Sequence, residues 1–215
     1  MIVSSAELTG LAAISGGGRL PGFPPPRAGK AEAELALARL RVKGVLDASG
    51  RVSRLGMVPI RAVEQYLRAD QHVYLNQLKV SLNDDGALTV LHPIDDDWDL
   101  SRMSPQAVML ALLRAYPWLC EGDGPDASAS PWKPMSLQRW AQDRLPEQVP
   151  PLVMRCTSKL NGASQPIAYD LRRGSGFAYG LDDGAGRVMP VWQIRTEIAT
   201  ALGCAPDAGA GDLDG

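Results

Sequence analysis

The hydrophobic period of this chain changes sharply near residue 72, and that change restricts the fold class more than any other feature. Upstream, apolar residues recur at helical intervals: Leu8, Leu11 and Ile14, then the run A-E-A-E-L-A-L-A-R-L-R-V-K-G, then Ile60, Val63 and Leu67. Downstream, in H-V-Y-L-N-Q-L-K-V-S-L-N, the residues Leu78, Val80 and Leu82 alternate with Lys79 and Ser81. D-D-G turns the chain, and A-L-T-V-L-H returns with Leu88 and Val90 in step. Side chains on a strand alternate between two faces, so this reads as a β-hairpin, spanning Val73 to Leu91, with one face toward a core.

Local signals place the helix ends. Ser4 and Glu7 stand in capping-box spacing, and Gly16-Gly17-Gly18 ends the first helix. The second stops at Gly44, where a glycine accepts the left-handed conformation. The third is expected from Pro59 to Ala69, with Pro59 at its first position. Between the first two, L-P-G-F-P-P-P-R reads as an extended connector, because consecutive prolines cannot donate backbone hydrogen bonds.

H-P-I-D-D-D-W-D, from His92 to Asp99, packs four carboxylates, an imidazole and a tryptophan into eight residues. It follows a strand and precedes S-P-Q-A-V-M-L-A-L-L-R-A-Y, where Ser104 can cap and Pro105 can take the first helical position. It is therefore expected to be a solvated strand-to-helix connection, without a metal: the D-x-D-x-D-G pattern of a calcium loop is absent.

From Cys120 to Pro134 the chain is rich in structure breakers and reads as a linker. The second half then repeats the order of the first. A helix is expected near Ser136 to Leu145, then a hairpin from Leu152 to Arg172 around the Asn161-Gly162 turn, then shorter strands in G-F-A-Y-G-L and R-V-M-P-V. W-Q-I-R-T-E-I-A-T-A-L-G makes a last helix ending at Gly203. The fold implied is α+β: a central antiparallel sheet built from two hairpin units and flanked by helices. One domain over 1–203 is expected, with quasi-repeated halves 1–119 and 135–203 joined by linker 120–134, and a disordered tail over 204–215.

The function classes narrow by elimination. With 24 acidic against 22 basic residues the net charge is -2, so no global positive field draws in nucleic acid or anionic lipid. Cys120, Cys156 and Cys204 are widely separated and form no C-x-x-C pair, which fits buried thiols in a reducing compartment. No apolar run approaches the roughly 18 residues needed to cross a bilayer, and the N-terminus has no basic signal region, so the chain is expected to be cytosolic. No nucleophile elbow, Walker loop, zincin motif or dinucleotide fingerprint is present, and no cofactor or catalytic residue is assigned. G-S-G-F-A-Y-G opens a strand and no helix, so it is a tight turn and not a phosphate loop.

E-L-T-G-L-A-A-I-S-G-G-G-R-L-P, L-A-R-L-R-V-K-G-V-L-D-A-S-G-R-V and G-F-A-Y-G-L-D-D-G-A-G-R-V-M-P-V-W-Q-I, in this order, resemble the EspG family of ESX, or type VII, secretion-associated chaperones of actinobacteria. The resemblance implies a cytosolic α+β protein that binds the helical tip of a PE-PPE-like secreted protein and keeps it soluble. Trp98, Trp132, Met135 and Trp140 lie in polar or breaker-rich surroundings or on a short apolar face, and are the expected partner-binding anchors.

A rival reading is a winged-helix-like nucleic-acid or regulatory protein. It rests on the order of two helices and a hairpin, with Arg39, Arg41, Lys43, Arg51, Arg54, Arg61 and Arg68 making this third of the chain basic.

Overall fold

A computed structural model describes residues 1–25, 29–120, 151–172, 175–181 and 186–204. The fold is α+β, an antiparallel β-sheet of ten strands flanked by helices. The chain divides into two compact units, Met1–His72 with Gln77–Met103, and Val73–Asn76 with Ser104–Gly215.

The first unit begins with a three-residue strand, β1 (Ile2–Ser4), that runs into α1 (Ser5–Ile14). The expected capping box is present: Ser4 Oγ accepts from the Glu7 backbone N–H at 3.2 Å, and the Ser4 N–H donates to Glu7 Oε2 at 2.6 Å. After the proline connector come α2 (Lys30–Val42) and α3 (Met57–Arg68). Gly44 follows α2 at φ 72°, as a C-terminal glycine should. α3 starts two residues before Pro59, which still falls in the first turn, where a missing N–H costs nothing. Gly56 ahead of it is obligatory, because a Cβ there would lie 2.0 Å from the Val45 carbonyl oxygen.

The sheet of this unit runs β1-β5-β4-β3, with β3 (Leu78–Leu82), β4 (Leu88–Ile94) and β5 (Asp97–Met103). The expected hairpin is therefore three strands and not two. Asn76, at φ 53°, breaks the run from His72, so β2 (Gln71–Leu75) is separate from β3. The acidic stretch is likewise a correction. It does not connect a strand to a helix: Asp95, at φ 52°, and Asp96 form a tight turn, and Asp97 opens a new strand. Asp is one of the few residues that tolerates positive φ, which suits Asp95 to the first position of this turn. Along β5, Trp98 and Leu100 face inward and Asp97, Asp99 and Ser101 alternate with them, a true period of two hidden by the charge.

Val3, Leu91 and Leu100 from the strands meet Leu8 and Leu11 of α1, Leu40 of α2 and Ile60, Val63 and Tyr66 of α3 in one apolar cluster. α1 packs on both other helices, and α3 packs on β3, β4 and β5. Glu7, 1% exposed, lies inside this layer. Lys43 Nζ reaches its carboxylate at 2.8 Å and donates to the Ile2 carbonyl at 2.9 Å, so one ion pair links α1, the end of α2 and β1.

In the second unit, α4 (Pro105–Ala115) starts as expected, with Ser104 Oγ accepting from the Ala107 N–H at 3.1 Å, and a 3-10 turn follows at Pro117–Leu119. β6 (Leu152–Ser158) pairs with β7 (Gly162–Ala163) and β8 (Ile167–Arg172) around Gly162 at φ 71°. β9 (Ser175–Gly180) and β10 (Gly186–Met189) extend it, and α5 (Val191–Ala201) covers β9. A Cβ on Gly176 would lie 2.5 Å from the Met189 carbonyl oxygen and 2.6 Å from Ile194 Cδ1, so this glycine serves close packing. Asn76 fastens its own segment here: its N–H donates to the Val153 carbonyl and its Oδ1 accepts the Val153 N–H, both at 2.8 Å. The expected helix near Ser136 to Leu145, residues 121–134 of the expected linker and residues 205–215 of the expected tail lie outside the described residues.

Burial pushes the Glu7 carboxyl up, but the Lys43 ammonium and the Ser4 cap outweigh it and hold the group below its ordinary value of 4.5. A lowered folded pKa means stability that is full above the ordinary value and lost as pH falls through the folded one. Denaturant titrations should show Glu7→Gln costing about 2 kcal/mol at neutral pH. The loss should shrink below pH 4.5, where the wild-type carboxylate itself protonates.

Candidate functional site

Trp98 does not sit in a polar loop. It is the second residue of β5, paired with Val3 of β1 and Pro93 of β4, and it packs half-buried against the edge of the first unit's core. Its indole N–H donates to Ser5 Oγ at 3.1 Å, in the first turn of α1. The Phe23 ring from the proline connector meets it edge-on, with centroids 4.9 Å apart. Lys79 of β3 lies over both rings, its Nζ 4.7 Å from the Trp98 centroid and 5.0 Å from that of Phe23. Burial pushes the Lys79 ammonium below its usual range, and the ring faces compensate part of its lost hydration.

On the other side of Ser5 an open cleft of about 350 Å³ runs between Ser4–Ala6, the α2 residues Glu32, Leu35, Ala36 and Arg39, and Asp96 of the β4–β5 turn. Ser5 thus joins the two features, accepting from Trp98 behind it and lining the cleft in front. The cleft has acidic and basic walls and an apolar patch at Leu35, which is 52% exposed. Its polar lining comes from the hydroxyls of Ser4 and Ser5, the carboxylates of Glu32 and Asp96 and the guanidinium of Arg39.

Leu35 belongs to a larger surface. On an α-helix, positions three and four apart share a face. Ala31, Leu35, Ala38 and Val42 follow that spacing and all are exposed, Val42 at 89%. Ala36, Leu37 and Leu40 occupy the opposite side and pack inward. α2 is therefore apolar on two faces, and among the described residues only the inner one is covered.

The remaining expected residues divide. Trp132, Met135 and Trp140 lie outside the described residues. His92 is exposed on β4, in register with Asp99, whose Oδ1 accepts from the Met1 amine at 2.8 Å. Among the described residues no three His, Cys, Asp or Glu side chains come together as metal ligands. Cys120 is exposed, against the expectation of a buried thiol, while burial raises the half-buried thiols of Cys156 and Cys204. In the second unit the Tyr169 hydroxyl donates to Glu197 Oε2 at 3.0 Å and Arg187 reaches Oε1 at 2.8 Å. Burial, helped by the Glu197 charge, drives that hydroxyl's pKa far up, so it stays a donor that ties α5 to β8.

No helix of the described residues is long and apolar enough to cross a membrane. Residues 1–130 match the family described as a domain of unknown function (DUF5081), and the chain belongs to that family. No curated protein matches the chain.

Replacing Trp98 by Ala should remove the indole packing, the Ser5 hydrogen bond and half of the lysine's aromatic shelter, and lower stability by about 2 kcal/mol in urea titration. Trp98 thereby becomes a residue that holds α1 in place beside the cleft, and an unchanged unfolding midpoint would return it to the role of surface anchor.

Proposed function

We propose that this protein is a cytosolic, non-catalytic chaperone that holds a helical segment of a protein partner, of the PE-PPE-like kind handled in type VII secretion. The observation that carries the reading is the uncovered face of α2, where Leu35 and Val42 stand in solvent beside a cleft with room for side chains. An amphipathic helix laid on such a face anchors through residues at the same three-and-four spacing. The EspG-like segments add the client class.

The nucleic-acid reading draws less support. Lys43 is committed to Glu7, and Arg39 and Arg41 each share a flank of α2 with an acid, Glu32 or Glu34, so the basic residues there do not make a face of one sign. Phosphate binding needs several uncompensated cations, whose displaced counterions then make affinity fall steeply with salt.

Co-expression with a helical PE-PPE-type client tests the proposal. The wild-type chain should keep the client soluble, and the Leu35→Asp/Val42→Asp double variant should let it aggregate. Because both side chains are exposed, the variant's own stability should change by only about 0.5 kcal/mol. A variant that protects the client as well as wild type would sink this assignment, and a salt-sensitive shift of random duplex DNA at low salt would favour the rival.

A further inference from the structure

The flanks of the exposed α2 stripe carry a charge pattern that selects a particular occupant. At about 100° per residue, Ala31, Leu35, Ala38 and Val42 fall within a narrow arc. Glu32 and Arg39 lie on one flank of it, Glu34 and Arg41 on the other. This is the layout of a coiled-coil seam, with apolar central positions and charged edges. On both edges the acid is toward the N-terminus and the base toward the C-terminus.

We propose that the outer face of α2 pairs with the same face of a second copy of this chain, antiparallel about a two-fold axis. In that arrangement Leu35 meets Ala38 of the partner subunit, and Ala31 meets Val42 of the partner subunit. Glu32 and Glu34 then lie against Arg39 of the partner subunit and Arg41 of the partner subunit, and the reciprocal contacts follow by symmetry. The opposite choice, a parallel pair in register, sets like charges side by side at both ends and aligns the two helix dipoles unfavourably. Self-complementarity is thus a property of the antiparallel arrangement, and it needs only residues the structure shows exposed.

α2 has 13 residues, about 20 Å of helix, so the seam is shorter than that of a permanent dimer. The pairing is reversible, and a client helix taking the same face would displace the second copy. It would cover the apolar stripe when no client is present. The inference goes beyond the proposed client binding and does not require it.

Sedimentation equilibrium of the full chain over the micromolar to submillimolar range tests the pairing. The wild type should pass from monomer to dimer. Glu32→Arg/Glu34→Arg gives an α2 with only basic flanks and Arg39→Glu/Arg41→Glu one with only acidic flanks. Each alone should dimerise at least about tenfold more weakly, whereas an equimolar mixture should form a heterodimer. Leu35→Ser/Val42→Ser should weaken all pairings, with helical content unchanged by circular dichroism. A wild type that stays monomeric, or dimers indifferent to both charge reversals, would overturn the proposal. A monomer whose client capture is still lost in Leu35→Asp/Val42→Asp would assign the face to the client alone, overturning self-pairing and leaving the chaperone reading intact.

Discussion

Burying the Glu7 carboxylate is unfavourable unless donors meet it, and the donors that do so come from separate elements. The Ser4 N–H belongs to the turn from β1 into α1, and Lys43 to the end of α2. The lysine then spends a second proton on Ile2. The helix layer of the first unit is assembled around this charge: α1 is placed by its cap, α2 is tethered at its C-terminus, and β1 is held beside β5. Apolar packing supplies most of the free energy, but it is non-directional and does not specify where a helix must end. The ion pair does, and it is the reason a carboxylate stands in an otherwise apolar face of α1.

The second unit fixes its elements with hydrogen bonds from an amide and a phenol. Asn76 uses its left-handed backbone and both ends of its amide to splice residues 73–76 onto β6, and the Tyr169 hydroxyl does a similar service for α5. Gly176 lets β9 approach β10 and α5 more closely than any side chain would allow. Each of these residues is small or polar and sits where an apolar residue of ordinary size could not fulfil the local geometry.

Much of this was legible in the residues. The capping box at Ser4, the N-cap at Ser104, the glycine ends at Gly44 and Gly203 and the hairpins around Gly86 and Gly162 are local devices, and local devices survive translation from text to structure. The failures share a cause. β5 was obscured because D-D-D-W-D invites a chemical reading, although Trp98 and Leu100 keep strict alternation. β1 is too short to show a period, and its strand state depends on a partner nearly a hundred residues away. The site was missed differently. The outward stripe of α2 is concealed in the sequence by a second apolar stripe on its inner side, and only the angle of each position about the helix separates the two. The signal was present in the spacing of Ala31, Leu35, Ala38 and Val42.

A helix held by Ala36, Leu37, Leu40 and one lysine is thinly attached compared with α1, which is packed on two helices and a strand. Local opening free energies follow such differences, so the backbone amides of α2 should exchange faster than those of α1. Occupation of the outer face would change that ranking, since an opened α2 cannot keep its occupant. Deuterium uptake along a single helix thus becomes a gauge of how much of the surface is covered at any moment, whatever covers it.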